Sequence, residues 1–300
     1  MSENIAPILF IFGFGYTASA LSRQLMEKGY QIVATSRSHS RRKEMKRLGI
    51  RAYDFADREG VRKELRQATH LLCSIAPIKL GDTVLHHFEE DIKQNDGWQW
   101  IGYLSSTGVY GNHDGGWVDE ETPVKGNSER TKARVVAERK WLRLRAEPHS
   151  LPVQLFRLAG IYGAGRGVVS RLRKGMEQRI YKEDQIFSRI HVEDIARALI
   201  ASMNQPQSGD IYNVCDDVPE ASHIVAEYAA TQMGVEVPPL VDWSKAELSE
   251  MAREFYNNNR RVRNQRIKQL LPDGEWLYPS YQQGIVADIK ALSLKEAVND

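Results

Sequence analysis

The chain has 300 residues, 42% of them apolar and 27% charged, with 41 basic side chains against 39 acidic ones for a net charge of +2. That is enough for one large α/β domain with a smaller lobe, and the near-neutral balance excludes a global field that would draw nucleic acid or an anionic membrane to the whole molecule. Cys73 and Cys215 each lie alone in an apolar run, which speaks against a disulfide framework or a Cys-x-x-Cys metal site; no metal is expected, and a reducing cytoplasm is the expected location. The predicted elements begin with a strand at 8–12, a helix at 16–28 closed by Gly29, a strand at 31–35, a helix at 40–48 closed by Gly49 and a strand at 50–53. A helix at 58–67, a strand at 70–75, a helix near 83–94, a strand at 100–105, a long helix near 128–146 and a strand at 153–158 follow. Beyond Gly167 the pattern loosens into a helix at 193–203, a strand at 211–214, a helix at 220–233 and a terminal helix near 281–292. The apolar start lacks a basic n-region and a small-residue cleavage site, and no run approaches ~18 uninterrupted apolar residues, so neither a signal peptide nor a membrane span is expected.

Alternating strands and helices with right-handed crossovers predict an α/β fold: a Rossmann-like, doubly wound parallel sheet with a smaller C-terminal substrate lobe. The core is expected at 1–166, and 167–300 as a mixed region that returns to the sheet over 186–215 and forms the lobe. The first strand runs into Gly13-Phe14-Gly15-Tyr16-Thr17-Ala18, a G-x-G-x-x-A turn opening a helix. Such a turn brings backbone amides and the positive helix end to a pyrophosphate, which makes Gly13, Gly15, Tyr16 and Thr17 candidates for binding a dinucleotide. A glycine hinge in an ordinary core is the plainer alternative.

About 20 residues past the turn, where an acid would take a ribose 2′-hydroxyl, the second strand ends in Ser36 and Arg37. A hydroxyl and a guanidinium suit a 2′-phosphate, so NADP(H) is the preferred cofactor and NAD(H) the second choice. Arg41 and Arg42 either extend that site or form a solvated helix face. After the third strand, Asp54 and Phe55 offer a carboxylate and a ring that could clamp an adenine, although Asp54 by itself is more often a loop or capping acid.

Five further segments carry a resemblance. Tyr103-Leu-Ser-Ser106-Thr107-Gly-Val-Tyr110-Gly111, Asp119-Glu-Glu-Thr-Pro123, Arg157-Leu-Ala-Gly-Ile-Tyr162-Gly-Ala-Gly-Arg166, Arg189-Ile-His191-Val-Glu-Asp194-Ile-Ala196 and Ile211-Tyr-Asn-Val214 follow in order. Together with the glycine turn they make residues 8–215 similar to the extended short-chain dehydrogenase/reductase family, and Asn259–Asn264 and Tyr278–Tyr281 are weaker matches further on. The resemblance implies an NAD(P)(H)-binding Rossmann-like domain and relatives that epimerise, dehydrate or reduce nucleotide sugars and similar molecules. It places Ser106 on the family's catalytic Ser/Thr with Thr107 beside the substrate, and Ser74, Ile75 and Ala76 where the fourth strand passes the cofactor ribose. Arg166 falls near a substrate phosphate or sugar. His191 is either a substrate contact or, with Asp194, an organiser of a turn and helix start.

The family's Tyr-x-x-x-Lys on the long helix, the tyrosine as acid/base and the lysine on the nicotinamide ribose, is not present. Counting back from Ala137-Glu138 puts Arg130 on the tyrosine and Arg134 on the lysine; a second frame pairs Ser128 with Lys132. A guanidinium can hold a ribose hydroxyl but does not exchange a proton near neutral pH. The chain therefore resembles the atypical members, with Ser106, Arg130 and Arg134 as the candidate catalytic set and Tyr110 and Tyr162 as packing residues. A sensor that kept the pocket and lost the chemistry is the alternative. Six basic side chains between Arg253 and Lys268 could suggest nucleic acid or a solvated face; the expected partner is a small-molecule substrate, not nucleic acid or a membrane, and a homodimer is compatible with the chain.

Overall fold

The computed structural model describes residues 6–146, 150–206 and 211–299. In chain order the strands are β1 Ile8–Phe12, β2 Gln31–Thr35, β3 Arg51–Tyr53, β4 His70–Cys73, β5 Trp100–Ser106, β6 Trp117–Val118 and β7 Val153–Leu158. They continue with β8 Gly160–Tyr162, β9 Arg179–Tyr181, β10 Arg189–His191, β11 Ile211–Val214, β12 Leu240–Asp242 and β13 Arg261–Val262. The helices are α1 Tyr16–Met26, α2 His39–Arg47, α3 Arg58–Leu65, α4 Thr83–Lys93, α5 Glu129–Arg143 and α6 Val168–Arg173, then α7 Val192–Met203, α8 Ser222–Met233, α9 Glu250–Tyr256, α10 Gln265–Lys268 and α11 Tyr281–Asn299.

The chain divides into two compact units. Unit 1 holds residues 1–109, 126–157 and 195–212, and unit 2 holds 110–125, 158–194 and 213–300. The expected break at 166 thus falls at 157, and residues 110–125 leave the first unit early. A seven-stranded sheet runs in the order β11-β7-β5-β4-β1-β2-β3, and the pairs β1–β2, β1–β4, β2–β3 and β4–β5 are all parallel. This is the doubly wound order, in which the sheet reverses direction beside β1 and leaves a crevice at the carboxyl ends of the strands.

Burial explains the order. All five residues of β1 and all four of β4 are buried, as a central parallel strand covered on both faces requires. In unit 1, Phe10 and Phe12 pack with Phe88 of α4 and Trp141 of α5, with Phe12 and Phe88 ring centroids 5.2 Å apart. In unit 2, Val168 and Val169 of α6, Val225, Ala226 and Ala229 of α8, and Tyr281 and Ile285 of α11 form a separate core. Among the described residues no helix is long and apolar enough to cross a membrane.

The strand predicted over 70–75 ends at Cys73 because Ser74 turns its hydroxyl onto the Gly13 carbonyl. The long helix is shorter than predicted and begins at Glu129, because Ser128 caps it.

Candidate functional site

In unit 1 the carboxyl end of β1 is built around Gly13. Its φ of +86° favours glycine, and a Cβ there would lie 2.8 Å from Ile75 Cγ1 and 3.2 Å from Ser74 Oγ. Thr35 Oγ1 accepts from the Gly13 amide at 3.1 Å, the Thr35 carbonyl accepts from the Phe14 amide at 3.1 Å, and Ser74 Oγ donates to the Gly13 carbonyl at 2.5 Å. The turn is therefore fixed from both neighbouring strands. Thr35 is a residue that sequence reasoning missed; its only signal was its place at the end of β2.

Gly15, in contrast, is exposed, and a Cβ there would meet nothing within 4 Å. It is the N-cap of α1, and no side chain caps that helix end. An open approach to an uncapped helix start, one residue from an over-determined turn, fits a pyrophosphate. Tyr16 and Thr17 form the first turn of α1, half-buried and buried, while Ile75 is half-buried and Ala76 exposed beyond β4.

At the end of β2, Ser36 is half-buried with its amide on the Tyr53 carbonyl at 3.0 Å, which brings the ends of β2 and β3 together. Arg37 is exposed and has no hydrogen-bond or ion-pair partner among the described residues. Arg42 is no solvated face: it donates to the Ser36 carbonyl at 2.6 Å and pairs with Asp54 at 2.7 Å. Arg41 pairs with Glu44 at 2.7 Å. Asp54 also accepts from the Ala56 amide at 2.9 Å, so it is the loop acid of the plainer reading.

Phe55 corrects the adenine-clamp expectation. Its ring is buried in the core, 6.0 Å from Phe12 and 5.6 Å from Phe88, with the Arg58 guanidinium 4.5 Å from its centroid. The ring is taken up by packing in the core rather than presented to a base.

Ser106 ends β5, half-buried, with its Oγ accepting from the Gly108 amide at 3.1 Å; Thr107 is buried. A Cβ on Gly108 would lie 3.3 Å from both Ser106 Oγ and Thr131 Cγ2, so the end of β5 and the first turn of α5 meet across that glycine. Arg134 donates from Nη1 to the Leu104 carbonyl at 2.9 Å, and Arg130 is exposed in the first turn of α5.

The second frame for the missing motif does not hold. Ser128 Oγ accepts from the Thr131 amide at 3.2 Å while Thr131 Oγ1 accepts from the Ser128 amide at 2.9 Å, which makes Ser128 one half of a capping box. Glu138 anchors the other frame. It accepts from Ser105 at 2.5 Å and from Arg157 Nε and Nη2 at 3.2 and 2.8 Å, with both ionic side chains buried. That pins α5 to β5 and β7.

In unit 2, Arg166 is exposed in a tight turn, its amide on the Gly163 carbonyl at 2.9 Å. His191 corrects the substrate-contact alternative. It is buried between Tyr162 and Tyr278, with ring centroids 5.2 and 4.3 Å away, and its Nδ1 accepts from the Glu193 amide at 3.2 Å. That bond leaves Nε2 to carry the proton towards Asp288 at 3.3 Å, so the ring is fully engaged. Asp194 accepts from the Leu277 and Tyr278 amides at 2.7 and 2.9 Å.

Tyr110 donates to Asn213 Oδ1 at 2.8 Å, and the Tyr162 hydroxyl is buried without a partner. Burial pushes the Tyr162 phenol up, so it holds its proton more tightly than a free tyrosine does. Among the described residues no group of His, Cys, Asp or Glu is placed to hold a metal ion.

Residues 92–215 match the family model of the NAD dependent epimerase/dehydratase family. That segment of the chain is similar to the family. The chain is 32% identical to protein YeeZ of Escherichia coli over 140 residues, 45% of this chain and 47% of YeeZ, so the match spans about half of either. It is also similar to a functionally unknown conserved protein from Silicibacter pomeroyi, at 44% identity over 96% of this chain and 99% of that one, with a TM-score of 0.86. The human epimerase family protein SDR39U1, solved with NADPH, shares 14% identity over 94% of this chain and 99% of its own at a TM-score of 0.72, a likeness of fold. The family binds NAD(P).

Proposed function

We propose that this protein is an NADP(H)-preferring member of the family that reduces, epimerises or dehydrates a nucleotide sugar or another small polar metabolite in the cytoplasm. The observation that carries the cofactor preference is the end of β2. Arg37 is exposed and unpartnered beside Ser36, while Asp54, at the neighbouring strand end, is neutralised by Arg42. A cation without a counter-ion beside a hydroxyl favours a phosphate dianion over a bare ribose hydroxyl. The NADPH in the human relative's structure agrees with this reading.

The cofactor, when bound, supplies hydride transfer. The amides at Gly15 and the start of α1 hold its pyrophosphate, and Ser36 and Arg37 hold its 2′-phosphate. Arg134, with Nη1 on the Leu104 carbonyl, keeps the remainder of its guanidinium for a ribose hydroxyl. Ser106 orients the reacting oxygen of the substrate. A guanidinium does not serve as a proton donor and acceptor near neutral pH, so the proton on that oxygen would move through Ser106 Oγ and water or a substrate group.

The second reading, an NAD(P)-binding sensor without chemistry, is favoured by one observation: an arginine stands where the phenolic acid/base belongs. A screen of small polar metabolites that follows NADPH absorbance separates the two. The enzyme reading expects at least one to oxidise bound NADPH, with Ser106→Ala slowing turnover by about a hundredfold or more and leaving NADPH affinity unchanged. If no metabolite turns over, or if Ser106→Ala matches wild type, the enzymatic assignment at this site fails. In either reading the partner is a small molecule, and a homodimer is compatible with it.

A further inference from the structure

Two aspartates follow β11 in unit 2, and they are treated differently. Asp217 pairs with Lys268 at 2.9 Å and accepts from Asn264 Nδ2 at 2.8 Å. Asp216 is 2% exposed, both of its carboxylate oxygens are closed off from solvent, and among the described residues no hydrogen bond of good geometry reaches either. The guanidinium in this region, Arg189 of β10, is spent elsewhere: Nη1 donates to the Phe187 and Glu220 carbonyls at 2.8 and 2.7 Å and Nη2 to Ser222 Oγ at 3.2 Å. Among the described residues no carboxylate is paired with it.

The groups that face Asp216 come from every element packed there. β8 contributes Tyr162, whose hydroxyl is likewise closed off and unpartnered, and on which Asp216 is the strongest charge. α11 contributes Tyr281, which also feels Asp216, and Asp288, which lies 3.3 Å from His191 Nε2. Asp194 of α7 and Glu220 act on Tyr162 and Arg189, and the buried Cys215 thiol precedes Asp216 in the chain. Arg189 is the one guanidinium in this set, against Asp194, Asp217, Glu220 and Asp288. Burial pushes the Asp216 carboxyl well above the usual aspartate range; Arg189 and the Val218 and Arg189 amides draw it part of the way back, and Asp217 adds to the rise.

An ionised carboxylate in such a place is a charge out of water with its lone pairs unused, whereas the neutral acid gains an O–H and needs only one acceptor. The Tyr162 hydroxyl is the orphan that offers one. Helix α11 rests on the same tyrosine, since a side chain at Gly284 would collide with its hydroxyl and Tyr281 is buried at the helix start. We propose that Asp216 is held in the folded chain as the neutral acid, shares its proton with Tyr162 Oη, and on losing that proton loosens the seat of α11, which makes unit 2 a proton-sensitive lock that is firmer in acid than in alkali. The folded carboxyl keeps its proton to a higher pH than the unfolded one. From the ordinary aspartate value of about 4 upward the folded chain therefore binds more protons, and stability falls as pH rises through that window and is fully present below it.

The test is thermal unfolding of the full chain, wild type beside Asp216→Asn, at pH 5 and pH 8. Asparagine keeps the shape of the neutral acid and cannot ionise, so the melting temperature of the variant relative to wild type should rise by at least about 3 °C between the two pH values. Amide exchange over α11 in the wild type, corrected for the pH dependence of the intrinsic rate, should increase over the same interval and stay level in Asp216→Asn. The proposal is overturned if the difference in melting temperature is the same at both pH values, if it shrinks as pH rises, or if exchange over α11 does not change in the wild type. Should Asp216→Asn fail to fold, the wild type decides. The carbonyl band of a protonated carboxylic acid, present in its infrared spectrum at pH 6 and lost on raising the pH in step with faster exchange over α11, supports the proposal, and the absence of that band at pH 6 overturns it.

Discussion

Two regions of unit 1 carry the family's signature and have changed differently. At the glycine turn every part is in place: Gly13 has no room for a side chain, Gly15 opens on free space, and Thr35 and Ser74 hold the backbone between them. At the start of α5 the supports remain while the chemistry is altered. Glu138 pins the helix through Ser105 and Arg157, and Arg130 lies exposed in its first turn, where the proposed reading puts the missing phenol. Binding built from backbone geometry needs many residues to agree and is retained as a unit, whereas proton transfer depends on one side chain that can change with no effect on the fold.

The largest expected effect separates the two glycines of the turn. Gly15→Val should abolish NADPH binding with an unchanged melting temperature, because its side chain would enter the open approach. Gly13→Val should lose both, since a positive φ and contact with Ile75 together cost roughly 1–3 kcal/mol or more. A Gly15→Val protein that binds NADPH like wild type would reduce the turn to a structural hinge.

Next comes the helix anchor. Glu138→Ala removes the carboxylate that the buried Arg157 clamps, and urea unfolding should show a loss of about 3–5 kcal/mol. A loss below about 1 kcal/mol would mean that α5 is held by packing alone, and the placement of Arg130 and Arg134 would lose its support.

A smaller effect, and a sharper one for the comparison, is expected from Arg130→Tyr. The new phenol has no lysine beside it to lower its pKa, so turnover of any substrate found should stay within a few-fold of wild type. A large gain would show that the site lacks only the tyrosine.

The sequence was legible where the pattern is local. The β-α alternation and the glycine turn follow from periodicity and from residues a few positions apart. Strands of two or three residues such as β6, β8 and β13 carry no period to read. Phe55 was misread because Asp54 bends the chain through the Ala56 amide and sends the ring into the core, a turn that no alternation announces. His191 was ambiguous because the group that engages it, Asp288, lies 97 residues away.

The central claim is that this fold binds a phosphorylated dinucleotide through Arg37, and parallel equilibrium titrations of NADPH and NADH, read by nicotinamide fluorescence, test it most directly. Wild type should bind NADPH more tightly, and Arg37→Ala should weaken NADPH by about 1.5–3 kcal/mol, roughly ten- to a hundredfold, while leaving NADH unchanged. Equal affinities in wild type, or an Arg37→Ala protein that binds NADPH as before, would contradict the account.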